Sequence, residues 1–212
     1  MSQRQDVMAA VRKLRIVAVV RSTADQVAPI FDALLEGGVS AIEVTFSVPK
    51  APEVIATVKR RYGDRVLLGA GTVLDPQKAA DAIDAGARYI VAPNTNFDVI
   101  RLCNQRDVAV MPGAFTPTEI AAAWHAGADC VKLFPAECLG IAYLKALRAP
   151  MPDVPIMPTG GVDVGNAADW LRAGAVALGV GSSLVRKDAL ASGNYALITE
   201  TARKFMAAVA GA

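Results

Sequence analysis

The segment AGADCVKLFP, residues 126–135, contains the pattern that decides the fold of this chain. Its first three residues close an amphipathic helical pattern, and its second half is a short apolar run. A glycine between the two, here Gly127, supplies the left-handed cap after which a chain can turn from a helix back into a sheet. The segment therefore predicts a helix, a glycine turn and a buried strand, in that order.

The same unit recurs along the 212-residue chain, with equivalent turns at Gly37-Gly38, Gly86 and Gly174. Eight apolar runs, rich in Val and Ile and bounded by Gly or Pro, are typical of buried parallel strands. These runs cover residues 16–20, 41–46, 66–71, 89–93, 108–112, 130–135, 155–158 and 175–181. The helical patterns between them include residues 24–36, 52–62, 76–85 and 117–126.

Eight strands alternating with helices predict an α/β protein with a compact (β/α)8 TIM barrel. We expect one domain, with an extra N-terminal helix over residues 1–14, the barrel over 15–190 and a C-terminal helix over 191–212. The alternative is an open doubly wound sheet. That fold normally has a Gly-x-Gly-x-x-Gly fingerprint after its first strand, whereas Arg21-Ser22-Thr23 stands there in this chain. The barrel is therefore favoured.

Composition argues against several classes of protein. The chain has 22 Lys and Arg residues against 20 Asp and Glu residues, so it lacks the basic excess expected of a nucleic-acid-binding protein. With 1 His and 3 Cys it cannot supply a two-histidine zinc motif, and we expect no bound metal. No apolar run has the length of a secretory signal or a membrane span. We therefore expect a cytoplasmic protein without membrane contact.

Two of the predicted strands contain a charged residue where a barrel interior is normally apolar. Glu43 alternates with Ile42 and Val44, and Lys132 alternates with apolar neighbours in the same way. Because alternate residues of a barrel strand point inward, both charged side chains are predicted to face the interior. An unpaired buried charge costs several kcal/mol, so each group must be paired, neutralised or both.

Two interpretations of these residues remain open at this point. The first is a buried Glu43–Lys132 ion pair without chemistry, although such pairs often stabilise a fold no better than apolar residues do. The second is a lysine that forms a Schiff base beside a carboxylate that transfers protons. A lysine attacks a ketone only as the neutral amine, and burial lowers its pKa whereas a nearby carboxylate raises it.

The predicted ends of the last two strands are rich in glycine. Thr159-Gly160-Gly161 follows the seventh strand, and Gly179-Val180-Gly181-Ser182-Ser183 follows the eighth. In barrels, such turns lead to helix N-termini and commonly bind phosphate through backbone N–H groups. Each turn alone is equally compatible with a plain tight turn, but together they predict a phosphorylated ligand. Arg21, at the end of the first strand, is predicted on the same rim, either to bind a second anionic group or as a solvated side chain.

The motifs of the chain resemble those of the 2-keto-3-deoxy-6-phosphogluconate (KDPG) / 4-hydroxy-2-oxoglutarate (KHG) aldolase family. The resemblance spans about residues 15–190 and rests on five motifs: Ile42-Glu43-Val44-Thr45, Gly69-Ala70-Gly71-Thr72-Val73-Leu74, Pro112-Gly113-Ala114-Phe115-Thr116-Pro117-Thr118-Glu119, Val131-Lys132-Leu133-Phe134-Pro135-Ala136 and Pro158-Thr159-Gly160-Gly161. It implies a class I aldolase, a homotrimer that needs no metal or other cofactor. The implied reaction cleaves a KDPG-like sugar acid phosphate to pyruvate and glyceraldehyde 3-phosphate, with cleavage of KHG to pyruvate and glyoxylate as a second activity.

The resemblance also implies a role for individual residues. Lys132 would form the Schiff base and Glu43 would be the acid/base. The implied substrate-binding residues are Arg21, Thr72, Pro93, Phe134, Thr159, Gly160, Gly161, Gly181 and Ser182. Among them, Thr72 would hold the pyruvyl carboxylate, and the phosphate would be held by Gly161, Gly181 and Ser182.

One departure from the family pattern bears on specificity. Many members have an arginine two residues after the threonine of the Glu-x-Thr motif, where it binds the carboxylate, but this chain has Ser47. We hypothesise that Arg21 binds that carboxylate instead. Three alternatives stay open: a galactonate-configured substrate, a phosphosugar isomerase or epimerase in which Lys132 and Glu43 only shuttle protons, and a phosphosugar-binding barrel without catalysis.

Overall fold

The computed structural model describes residues 2–212, in which short strands alternate with helices. The strands are β1 (Ile16–Val20), β2 (Ala41–Thr45), β3 (Leu67–Gly71), β4 (Tyr89–Val91), β5 (Ala109–Met111), β6 (Gly113–Ala114), β7 (Val131–Leu133), β8 (Ile156–Pro158) and β9 (Leu178–Val180). The helices are α1 (Gln3–Leu14), α2 (Ala24–Glu36), α3 (Ala51–Tyr62), α4 (Pro76–Asp84), α5 (Phe97–Gln105), α6 (Pro117–His125), α7 (Gly140–Arg148), α8 (Ala167–Arg172), α9 (Lys187–Ser192) and α10 (Ala196–Ala210).

All strand pairs of the fold are parallel, as predicted. Six strands pair in the order β5-β4-β3-β2-β1-β9, and three more in the order β6-β7-β8. Only Pro112 separates β5 from β6, and proline has no N–H to donate to a ladder. An isolated parallel bridge between Thr159 and Gly179 links the end of β8 to β9. The result is a curled parallel sheet.

Two predicted segments agree with the structure residue for residue, namely β1 and α2. The C-terminal helix predicted over residues 191–212 is different. The boundary at 191 falls inside α9, and the terminal helix α10 begins at Ala196. The two helices are separate because Gly193 takes a left-handed φ of 67° and caps α9.

The strands carry two apolar layers, one on each face. Outward residues such as Ile42 and Val44 pack against the surrounding helices in the larger core. Inward residues such as Ala41 and Tyr89 form a second cluster with Val7, Met8 and Val11 of α1, and this helix thereby packs across the amino-terminal ends of the strands. Because the polar residues of β2 and β7 alternate with the outward set, they face the inner space, as the sequence predicts.

No helix within residues 2–212 is long and apolar enough to cross a bilayer.

Candidate functional site

The inner space of the curled sheet contains two buried charged residues. Glu43 is 1% exposed and Lys132 is 3% exposed. Glu43 lies in β2 opposite Val19 of β1 and Gly69 of β3, whereas Lys132 lies in β7 opposite Met157 of β8. The sequence-based prediction that both residues lie on inward positions is consistent with this register.

The environment of the two groups differs from that of a structural ion pair. Within residues 2–212, neither carboxylate oxygen of Glu43 has a hydrogen-bond partner, so Lys132 does not donate to it. The Lys132 Nζ atom lies 5.0 Å from the ring centroid of Phe134, a distance at which an aromatic face attracts an ammonium group. A pair held only for stability would be expected to satisfy these buried atoms.

Burial shifts the pKa of each group in the direction that favours its neutral form. Loss of water around Glu43 raises the pKa of its carboxyl, an effect that the positive charges of Lys132 and Arg21 oppose. Burial likewise lowers the pKa of the Lys132 amine. The negative charge of Glu43 opposes this effect, and the positive charge of Arg21 reinforces it. A lysine whose pKa is lowered holds more neutral amine near pH 7, the form that is nucleophilic.

Glycines on β3 leave room for the inward side chains of the neighbouring strands. A Cβ atom on Gly71 would overlap the carboxylate of Glu43, and a Cβ atom on Gly69 would overlap the ring of Tyr89. Both glycines lie on the inward face of β3, two residues apart. The Gly-Ala-Gly-Thr motif therefore creates the space in which the Glu43 carboxylate sits.

A cavity of about 470 Å³ opens at the carboxyl ends of β1, β7, β8 and β9. This end of a parallel barrel is where ligands bind in proteins of that architecture. Seven of the residues that the sequence predicts to bind substrate line this cavity: Arg21, Phe134, Thr159, Gly160, Gly161, Gly181 and Ser182. The Arg21 Nη1 atom lies 4.0 Å from the position that a Cβ atom of Gly181 would take.

Two predicted binding residues lie elsewhere. Pro93 lines a second cavity of about 330 Å³, which shares Phe134 with the first. Thr72 follows β3 and lines neither cavity. Its φ of 59° is left-handed, a conformation that costs energy for a β-branched residue and is concentrated at functional sites.

The glycine-rich turns differ in one respect from the prediction, because neither leads directly into a helix. Residues 162–166 separate Gly161 from α8, and residues 183–186 separate Ser182 from α9. After Gly161, the side chains of Asp163 and Asn166 accept hydrogen bonds from each other's backbone N–H groups, and this local turn delays the helix. After Gly181, the N–H groups of Leu184 and Val185 bond its carbonyl in a turn.

Some residues of the site were missed by the sequence analysis. The acidic residues Glu137 and Asp163 and the hydroxyl of Ser183 line the main cavity. Tyr89 lies in the inner space with Glu43, and it was hidden because an aromatic residue in an apolar run looks like ordinary core. The alternation Tyr89-Ile90-Val91 could have predicted its inward position, because Ile90 packs in the outer core and its neighbours must point the other way.

The position equivalent to the family's carboxylate-binding arginine is hydrogen-bonded locally. Ser47 and Thr45 share a hydrogen bond of 2.6 Å between their hydroxyl oxygens. Arg21 lies on the neighbouring strand end and is close enough for its charge to influence both Glu43 and Lys132. Across residues 2–212, no group of three or more His, Cys, Asp or Glu side chains is placed to hold a metal ion.

The chain is similar to known proteins over most of its length. Residues 7–201 match the family described as KDPG and KHG aldolase. The chain is 37% identical over 176 residues to 2-dehydro-3-deoxy-6-phosphogalactonate aldolase of Escherichia coli (strain K12), covering 82% of this chain and 86% of the relative. It is also 37% identical over 192 residues to 2-dehydro-3-deoxy-phosphogluconate aldolase of Treponema pallidum (strain Nichols), covering 90% and 91%.

A solved structure of a relative is similar in fold and holds a reaction intermediate. KDPG aldolase from Legionella pneumophila, with pyruvate captured as a covalent carbinolamine intermediate, has a TM-score of 0.84 and 29% identity, covering 93% of this chain and 95% of that one. The family match spans most of the chain, and the two curated relatives exceed the identity at which family membership is secure. The chain therefore belongs to the KDPG and KHG aldolase family and is an aldolase, a lyase that acts on a keto-deoxy sugar acid.

Proposed function

We propose that the chain is a class I aldolase in which Lys132 forms a Schiff base with the ketone of a KDPG-like substrate. The observation that carries this proposal is the burial of Lys132 and Glu43 in one inner space, without a hydrogen bond between them and with both pKa values moved toward the neutral forms. These are the properties that a nucleophilic amine and a proton-transferring carboxyl need near pH 7.

The reaction begins with attack of the neutral Lys132 amine on the C2 carbonyl of the substrate. The carbinolamine hydroxyl takes a proton from solvent and leaves as water, which produces a protonated imine, an electron sink. Glu43 removes the proton of the C4 hydroxyl, the C3–C4 bond breaks, and its electron pair forms an enamine with the imine. The aldehyde leaves, Glu43 returns the proton to C3, and water then hydrolyses the imine. The products are pyruvate and glyceraldehyde 3-phosphate, or glyoxylate when KHG is the substrate.

The decisive experiment is trapping of the imine. Borohydride reduction in the presence of pyruvate is expected to add a pyruvate-derived mass to one peptide, the one that contains Lys132. A folded protein without such an adduct would contradict the covalent mechanism. It would favour instead an isomerase or epimerase in which Lys132 and Glu43 move protons without a covalent bond.

The configuration of the sugar acid is a second open choice. The gluconate and galactonate relatives are each 37% identical to this chain, so similarity alone does not favour either substrate. We propose the gluconate-configured 6-phosphate as the substrate and the galactonate-configured one as the alternative. A pyruvate-release assay with both compounds, each with and without phosphate, distinguishes them by kcat/KM.

We further propose that the nine strands form one closed (β/α)8 barrel in a single domain, with α1 as the extra N-terminal helix. The split strand β5–β6 counts as one, and the Thr159–Gly179 bridge supports closure between β8 and β9.

We also propose a cytoplasmic homotrimer. The exposed side chains of Phe97 and Phe115, which line one cavity together, support self-association, because exposed apolar patches commonly mark interfaces.

Arg21 is proposed to bind the substrate carboxylate in place of the absent arginine at position 47. We expect Arg21→Ala to raise KM about 10- to 100-fold, as loss of one charge-assisted contact does, while Ser47→Ala changes KM little. Both KDPG and the unphosphorylated KHG must show the loss if the carboxylate is the partner. Because Arg21 also lies beside Gly181, a loss confined to KDPG would assign Arg21 to the phosphate, and an effect of Ser47→Ala alone would contradict the proposal.

A further inference from the structure

The hydroxyl of Tyr89 is a buried polar group that the reaction described above does not use. Tyr89 begins β4, points into the inner space and is fully buried. In the part of the chain that the structure describes, its hydroxyl oxygen has no hydrogen-bond partner. A buried hydroxyl without a partner costs free energy that a phenylalanine at the same position would not.

The register of the sheet brings Tyr89 and Glu43 to the two sides of one glycine. Gly69 of β3 pairs with Glu43 on β2 and with Tyr89 on β4. Strands lie about 4.8 Å apart, so the backbones of the two residues are about 10 Å apart and their side chains extend into the same space. The ring of Tyr89 lies over Gly69, and the carboxylate of Glu43 lies over Gly71 on the same face of β3.

The two unpartnered groups are chemically complementary. A phenol has one proton to donate, and the Glu43 carboxylate has two oxygens without partners. Burial raises the pKa of Tyr89, and the charge of Glu43 raises it further, so the phenol keeps its proton and stays a donor. The other titratable groups near these two are Lys132 and Arg21, which face Glu43, and the Cys130 thiol in the same inner cluster, whose pKa burial raises to about 12.

We propose that Tyr89 is a positioning residue for Glu43, its hydroxyl donating a hydrogen bond toward the carboxylate across one bound water molecule. The water would satisfy polar atoms on both residues, as buried waters do. The bond favours the ionised carboxylate, the form that removes the C4 hydroxyl proton, and fixes its orientation. This inference rests on the proposed role of Glu43 in the aldolase reaction.

The test is Tyr89→Phe, which removes only the hydroxyl. Loss of a donor to the carboxylate raises the pKa of Glu43, so less base is present at low pH. We expect the acid limb of the kcat profile to move up by about one pH unit, so that kcat on the acid side of that limb falls about 10-fold, with KM within about 2-fold. The matched control is Tyr62→Phe. The Tyr62 hydroxyl bonds Asp32 and the Ala28 carbonyl on the outside of the fold, so the profile should not move.

The outcomes separate this inference from the proposed function. A Tyr89→Phe protein that gains thermal stability and keeps the wild-type pH profile would overturn the inference, because the hydroxyl would then be an unsatisfied group without a role. In that case the wild-type protein still releases pyruvate and still traps it on Lys132. Failure of the wild-type protein to trap pyruvate contradicts the proposed function instead.

Discussion

Lys132→Met is expected to abolish aldolase turnover, lowering kcat/KM at least about 10,000-fold. A thioether cannot attack a carbonyl, so no imine forms and no electron sink is available for cleavage of the C3–C4 bond. Methionine is unbranched and fills irregular interior space, so the inner packing is retained. Removal of a buried amine also predicts equal or greater thermal stability, because burial of a polar group costs free energy.

The measurement is pyruvate release from KDPG, together with thermal unfolding and borohydride trapping. The Met variant is expected to bind substrate, to trap no pyruvate and to melt no lower than wild type. The matched control is Lys145→Met, because Lys145 is an exposed lysine of α7 remote from the inner space. Retention of more than about 1% of wild-type turnover in Lys132→Met would be incompatible with covalent catalysis by this residue.

Much of the fold and the centre of the site followed from the sequence, for physical reasons. The run 16–20 predicts β1 correctly because a strand buried on both faces is continuously apolar. The alternation of residues in β2 and β7 placed Glu43 and Lys132 on inward positions, because their apolar neighbours must face the helix layer and alternate side chains point to opposite faces.

Other features depended on contacts that the sequence does not encode locally. The separation of Gly161 from α8 depends on hydrogen bonds between Asp163 and Asn166, which compete with helix formation. Glu137 lines the cavity because the turn after β7 passes Gly160 and Gly161 of another strand end, a long-range encounter. Tyr89 was missed because its hydroxyl matters only beside the carboxylate of Glu43, two strands away.

Glu43→Gln is the second substitution with a large expected effect, and it separates proton transfer from covalent chemistry. The amide has the same shape but cannot accept the C4 hydroxyl proton or return a proton to C3. We expect kcat for cleavage to fall about 100- to 10,000-fold, the range for loss of a general acid–base. Borohydride should still trap pyruvate on Lys132, because the amine is unchanged.

The pH dependence of trapping gives this variant a second, independent readout. The negative charge of Glu43 raises the pKa of Lys132, so its removal lowers that pKa further. More neutral amine is then present at a given pH, and adduct formation should extend to lower pH than in wild type. The control is Glu53→Gln, since Glu53 is an exposed residue of α3 whose side chain is 72% accessible. If Glu43→Gln kept wild-type turnover, another group would be the acid/base. If the folded variant lost trapping together with turnover, Glu43 would be required for formation of the imine on Lys132 as well as for proton transfer during cleavage.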